Sequence, residues 1–217
     1  MDYRLVIFDF DGTLADSLPW LRGVFGELAR EFGFRHPDAV LLEELRRSTP
    51  RDAMTLLRVP RWKVPLIASR VRSRMAEELG AIHPFEGVTE VLRRLEEAGV
   101  ILSVVSSNSR RNVERVLGPA ADRIAHYCCG SSLFGKASHF RRVLARSKIP
   151  ASAALCVGDE IRDAHAARSA GIAFGAVGWG YHTLEALRAE RPAEVFERVT
   201  DLSRLASGAA LGLRASS

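Results

Sequence analysis

Between positions 6 and 17 the chain reads Val6-Ile7-Phe8-Asp9-Phe10-Asp11-Gly12-Thr13-Leu14-Ala15-Asp16-Ser17, an apolar run that stops at two carboxylates one residue apart. The lead-in has the make-up of a strand buried on both faces, and such a strand demands a sheet with a layer on either side. Side chains alternate along a strand, so Asp9 and Asp11 are expected on one side of its C-terminal end, a few ångströms apart. Like charges that close need a cation. Open carboxylate oxygens suit a hard divalent ion, with Mg²⁺ the usual one where phosphate is also bound. Gly12 and Thr13 then permit a tight turn away from the strand. Asp-Gly is a common turn pair in its own right, but a turn alone gives no purpose to a carboxylate at position 9 as well.

A chain of 217 residues, 47% hydrophobic and 26% charged, is expected to be soluble and globular, as one domain or one domain with a large insertion. No apolar run approaches membrane-spanning length, so no membrane partner is expected. Met1-Asp2-Tyr3-Arg4 leads straight into the first strand and leaves no room for a signal peptide. A cytoplasmic location is the expectation. Cys128, Cys129 and Cys156 have neither a zinc spacing nor the pattern of a secreted disulfide framework, and read as reduced strand residues. The net charge of +5 is not concentrated in one patch, since the arginine pairs at 46–47, 93–94, 110–111 and 141–142 are spread over separate helical segments. That describes a solvated basic surface that weakly steers anionic substrates, without a nucleic-acid partner.

After Ser17 the period changes from that of a strand to that of a helix. Leu21, Val24, Phe25, Leu28 and Phe32 fall at helical spacing with Gly33 as the stop, and Ala39–Arg47 forms a second helix. Thr49-Pro50 reads as a cap with proline at the first helical position of a third, and a further helical stretch runs from about Pro60 to Leu79, with Pro65 shifting its start. Residues 18–82 thus read as an inserted all-helical domain. Residues 1–17 and 83–217 form the α/β core. There Val88, Val91, Leu92 and Leu95 mark an amphipathic helix closed by Gly99, and Val100–Val105 a buried strand. Further strands are expected at Ile124–Cys129, Ala154–Val157 and Ala173–Val177, with helices at Arg110–Leu117, Ala137–Ser147, Ile161–Ala170 and Thr183–Glu190. Strands alternating with helices predict a doubly wound, Rossmann-like parallel sheet covered on both faces. Ser207–Ser217 is weakly patterned and expected to fray.

In such a sheet ligands bind beyond the carboxyl ends of the strands. The strand at 100–105 ends in Ser106-Ser107-Asn108-Ser109, hydroxyls and backbone N–H groups at a helix N-terminus, which serve equally as an anion site or as plain helix capping. Lys136 stands out because only three of the 31 basic Lys and Arg residues are lysines. A compact ammonium acts as a point charge on a phosphoryl group, while a bland surface lysine is the alternative. Leu155-Cys156-Val157-Gly158-Asp159 repeats the opening pattern, and Asp163 follows four residues on. An N-cap role would explain Asp159 but not Asp163, whereas a helix beginning near Glu160 would put both on one face of its first turn.

Taken together, Asp9-Phe10-Asp11-Gly12-Thr13, Ser106, Lys136 and Gly158-Asp159 with Asp163 resemble the four motifs of the haloacid dehalogenase superfamily, in order, over about residues 5–180. The position of the insertion resembles a C1-type helical cap. Val177-Gly178-Trp179-Gly180 and the Glu194–Leu205 tail look like those of phosphoglycolate-phosphatase-like members. The resemblance implies a Mg²⁺-dependent phosphate monoester hydrolase acting on a small phosphorylated metabolite, such as 2-phosphoglycolate, as a monomer or homodimer. It makes Asp9 the nucleophile and Asp11 the acid and base. Ser106, Ser107, Asn108 and Lys136 hold the phosphate, and Asp9, the Asp11 backbone carbonyl, Asp159 and Asp163 hold the metal. Specificity is expected in the cap, with Arg46, Arg47 and Arg51 as candidates for a second anionic group.

Rival readings on the same scaffold are separable. A haloacid dehalogenase lacks the second aspartate of the first motif. A phosphonatase needs a cap lysine, and only Lys63 qualifies. A sugar phosphomutase keeps all four motifs and differs in how its cap excludes water, while a catalytically silent binding module is at odds with an intact set.

Overall fold

The N-terminal apolar run forms β1 (Leu5–Phe8), every residue of it buried. In this computed structural model, which describes residues 3–130 and 135–207, β1 is flanked by β2 (Ile101–Val105) and β4 (Ala154–Gly158), both parallel to it. Val6 is in register with Leu102 on one side and with Leu155 on the other. Beyond β2 lies β3 (His126–Cys128), and beyond β4 lie β5 (Ala173–Val177) and β6 (Glu194–Phe196). The order β3-β2-β1-β4-β5-β6, parallel throughout, reverses direction at β1. A crevice at the carboxyl end of β1 is the topological consequence.

Alternation along the strands divides the interior in two. Val6, Phe8, Leu102, Val104, Leu155 and Val157 face one core, against α5 (Val88–Glu97) and α6 (Arg110–Leu117). Leu5, Ile7, Val105 and Cys156 face the other, against Phe140 and Val143 of α7 (Lys136–Ser147) and Ala164 and Ala167 of α8 (Ile161–Ala170). Each large apolar side chain buried this way contributes about 1.5–3 kcal/mol, which fixes the strand ends that carry the site. A short α9 (Leu184–Ala189) follows β5.

Between β1 and α5 stand four helices: α1 (Leu18–Phe32), α2 (Ala39–Leu45), α3 (Pro50–Leu56) and α4 (Val64–Glu77). Their boundaries follow local chemistry. Gly33 at φ 67° closes α1, and the Thr49 side chain accepts from Asp52 N with Pro50 in the first turn of α3. Pro65 fits the first turn of α4, so the α-helix starts at Val64 after a 3₁₀ turn at Arg61–Lys63. Trp20, Val24, Leu28, Met75 and Leu79 from this insertion share the apolar core of α5 and α6. The two chains that join it to the sheet are paired: Asp16 N donates to His83 O at 2.9 Å and Phe85 N to Leu14 O at 3.0 Å.

Three expectations are corrected. The tail from Glu194 contains a sixth strand, whose three residues start with a charge and give too short a pattern to read. The third strand is three residues rather than six, because Ile124 closes a 3₁₀ segment. The N-cap of α8 is Glu160, in a reciprocal capping box with Asp163, so Asp159 lies before the helix and not in its first turn. All but Ser207 of the C-terminal stretch expected to fray lies outside the described residues, as do Leu133 and Phe134.

Candidate active site

Asp9 directly follows β1, and the backbone then folds back on itself. Phe10 O accepts from Thr13, Leu14 and Ala15 N at 3.2, 2.9 and 2.9 Å, with Gly12 at φ 77° in the left-handed region. A Cβ at Gly12 would also overlap the Asp159 carboxylate, so glycine is needed twice over. Asp9 Oδ1 accepts from Phe10 N at 2.8 Å, which orients its other oxygen, Oδ2, toward Lys136. Asp11, two residues on, accepts from Asn108 Nδ2 at 3.4 Å through Oδ2, while its Oδ1 is buried without a hydrogen-bond partner among the described residues.

The other strand ends converge on Asp9. After β2, Ser106 is buried and accepts from Asn108 N at 3.0 Å, and Ser109 caps α6 by accepting from Asn112 N. Lys136 opens α7 and places Nζ 2.8 Å from Asp9 Oδ2 and 2.5 Å from Asp163 Oδ1. After β4, Asp159 accepts from Thr13 Oγ1 at 2.7 Å and from Tyr181 N at 2.8 Å. Side chains at Gly158 and Gly180 would collide with Asp163 and Asp159, so both carboxylates sit against bare backbone.

Burial dominates the electrostatics. It pushes Asp9 and Asp159 above the ordinary carboxylate range, with neighbouring carboxylates adding to the effect. Burial, then the charge of Asp9, raises Asp11 to about 7 against the hydrogen bonds of Ser17 and Asn108. For Lys136 burial works against the charge, but Asp163 and Asp9 outweigh it and hold the ammonium above its usual range. The carboxylates of Asp9, Asp159 and Asp163 offer one oxygen each, all within 4.8 Å of one another. Three buried hard donors, compensated by one lysine, suit a divalent cation.

A cavity of about 190 Å³ beside this centre is lined by Asp11, Ser107 and Asn108 from the strand ends and by Arg72 and Met75 of α4. The structure therefore brings together Asp9, Asp11, Ser106, Ser107, Asn108, Lys136, Asp159 and Asp163. It does not bring Arg46, Arg47 or Arg51 to that cavity. Arg46 donates to Tyr181 O at 3.1 Å and Gly180 O at 3.4 Å and pairs with Glu43, Arg47 pairs with Glu43 at the surface, and Arg51 is exposed on α3. Residues that sequence reasoning passed over are Arg72, Arg162 and Tyr181, and Thr13, read as part of the turn, also holds Asp159. Tyr181 was detectable as the residue after a Gly-Trp-Gly turn, whereas Arg72 is set apart from Arg70 and Arg74 only by the packing of α4. Nothing in the linear pattern singled out Arg162, which pairs with Glu160 at 2.5 Å.

Comparison with known proteins agrees with this geometry. Residues 6–177 match the haloacid dehalogenase-like hydrolase family. A phosphoglycolate phosphatase of Synechococcus elongatus is 32% identical over 210 residues, covering 93% of this chain and 99% of that protein. A phosphoglycolate phosphatase of Pseudomonas savastanoi is 31% identical, over 94% of this chain and 79% of the other. A haloacid dehalogenase-like family hydrolase of Streptococcus pneumoniae shares the fold at TM-score 0.76 and 18% identity, covering 93% of this chain and 97% of that one. A carboxylate pair at the switch point of the sheet, a lysine against the first carboxylate and a family match over most of the chain lead to one conclusion: the protein belongs to the haloacid dehalogenase-like hydrolases, among their phosphoglycolate-phosphatase-like phosphatases.

Proposed function

We propose that the protein is a Mg²⁺-dependent phosphatase that hydrolyses 2-phosphoglycolate through a phosphorylated Asp9. The observation that carries the reading is the position of Asp9, whose free oxygen points at Lys136 Nζ 2.8 Å away, beside the Asp159 and Asp163 carboxylates. The near full-length relative from Synechococcus supports the substrate.

Asp9 attacks phosphorus in line as the bond to the ester oxygen breaks, leaving an acyl phosphate on its side chain. Asp11 donates its proton to the departing oxygen and then takes one from the water that cleaves the acyl phosphate. A carboxyl raised to about 7 is matched to both steps near neutral pH. Lys136 and the Ser106–Asn108 turn hold phosphoryl oxygens, and the ammonium also opposes the rise that burial imposes on Asp9. Asp9, Asp159, Asp163 and the Asp11 carbonyl would hold Mg²⁺, which would supply positive charge to offset that of the phosphate. The helical insertion acts as a cap that excludes water from the acyl phosphate until the leaving alcohol departs.

The test is phosphate release from 2-phosphoglycolate with and without Mg²⁺, alongside Asp9→Asn. Release that requires both the metal and Asp9 supports the reading. Undiminished turnover by Asp9→Asn removes the covalent mechanism.

A further inference from the structure

We infer that Arg72, on the cap helix α4, is the specificity residue that receives a carboxylate carried by the leaving group of the substrate. The inference rests on the phosphatase reading above and adds how that site chooses its ester.

The argument starts from charge accounting. Among the described arginines of the insertion only Arg46, Arg72 and Arg74 are half-buried; the others are exposed. Arg46 is paired with Glu43, and Arg74 with Glu27 at 2.6 Å and Glu78 at 3.7 Å. Arg72 has no carboxylate within 4.0 Å among the described residues. A partly desolvated guanidinium without a counter-ion is costly, and the cost is recovered when an anion arrives.

Its position identifies the anion. Arg72 lines the same 190 Å³ cavity as Asp11, Ser107 and Asn108, but from α4 of the insertion rather than from the ends of the strands. On the phosphatase reading the phosphoryl group is held at the sheet by Lys136, Ser106 and Asn108, of which Asn108 lines the cavity, so the rest of the ester extends into it. Arg72 therefore faces the part of the substrate that leaves. The second arginine on the cavity, Arg162, pairs with Glu160 at 2.5 Å, which leaves Arg72 as the cavity arginine without a carboxylate partner among the described residues. A guanidinium fork matches a carboxylate in two parallel hydrogen bonds. The cavity is below the usual size for drug-like ligands, which limits the leaving group to a few heavy atoms. A short hydroxy acid satisfies both conditions.

The experiment compares two esters of nearly equal size, 2-phosphoglycolate and 2-hydroxyethyl phosphate, whose distal groups are a carboxylate and a neutral hydroxyl. The ratio of their kcat/KM values is measured for the wild type, Arg72→Gln and Arg72→Lys. Loss of a charge-assisted pair lowers the ratio by about tenfold to a hundredfold in Arg72→Gln, mainly through KM, with Arg72→Lys in between. A ratio that survives Arg72→Gln overturns the inference, as does an equal fall for both esters, which would mark Arg72 as structural. Binding of 2-phosphoglycolate to Asp9→Asn, measured by calorimetry with and without Arg72→Gln, gives a readout independent of turnover, and equal affinities there also overturn it. Failure of the phosphatase reading looks different: neither ester is hydrolysed by the wild type.

Discussion

The carboxyl proposed as acid and base works against the fold, and Asp11→Asn exposes the conflict. In the folded protein without metal, Asp11 titrates near 7, against 3.8 for an unperturbed aspartate. The native state therefore binds this proton more tightly than the unfolded chain does. Its contribution to stability is full below about pH 4, falls as pH rises, and is gone above the folded value near 7. A difference of roughly three units corresponds to about 4 kcal/mol at 1.36 kcal/mol each. The side chain is only partly shielded from solvent, so about 2–4 kcal/mol is the expected range. Asparagine fills the same space without titrating. Asp11→Asn should thus be more stable than the wild type at about pH 8, by roughly 5–10 °C in Tm for a chain of this size, with the gap closing toward about pH 5. Scanning calorimetry in EDTA across that range measures it. A gap that does not change with pH, or a variant less stable at about pH 8, would refute the electrostatic account.

Other perturbations probe neighbouring parts of the centre. Lys136→Met leaves Asp9 and Asp163 facing each other uncompensated, and should destabilise the metal-free protein by about 3–5 kcal/mol while abolishing turnover; urea titrations with EDTA and with Mg²⁺ should show the larger loss in EDTA. Gly180→Ala drives a methyl into Asp159, so calorimetric Mg²⁺ affinity should fall at least tenfold and stability by about 1–3 kcal/mol, and unchanged affinity would contradict the packing described. Arg46→Ala removes the donors that hold the 180–181 carbonyls, and should weaken Mg²⁺ binding although Arg46 touches no metal ligand; hydrogen exchange at residues 180–183 should rise with it.

Much of this was legible in the linear sequence because the central strands are buried on both faces and leave nearly unbroken apolar runs, so each strand end could be located to within a residue. Asp9, Ser106 and Asp159 sit at those ends, and a short-range pattern was enough to find them. Arg72 was not legible. Helix α4 carries Arg70, Arg72 and Arg74 in succession, and only the packing of that helix decides which of them turns to the cavity and which meet Glu31 and Glu27. The same limit applies to Arg46, whose backbone partners at 180–181 lie more than a hundred residues away in sequence. Asp159, expected in the first turn of α8, lies before it for a local reason: Glu160 and Asp163 satisfy each other's backbone, which releases Asp159 from the helix and lets Thr13 and Tyr181 hold it instead.

The segment 180–183 touches two things at once. Tyr181 N holds the Asp159 carboxylate, while the carbonyls of Gly180 and Tyr181, Thr183 N and His182 Nε2 are bonded to Arg46 and Ser48 of the insertion. A swing of the insertion away from the sheet has to break the bonds at 46–48 or drag the loop along and strip a donor from Asp159. On the reading that Asp159 helps to hold a cation, its occupancy and closure of the insertion would be thermodynamically reciprocal, each favouring the other by the same free energy. In a catalytic cycle this would impose an order of events: a protein that has not loaded its cation spends more of its time open, and one that has loaded it is already biased toward the covered state before any ester arrives.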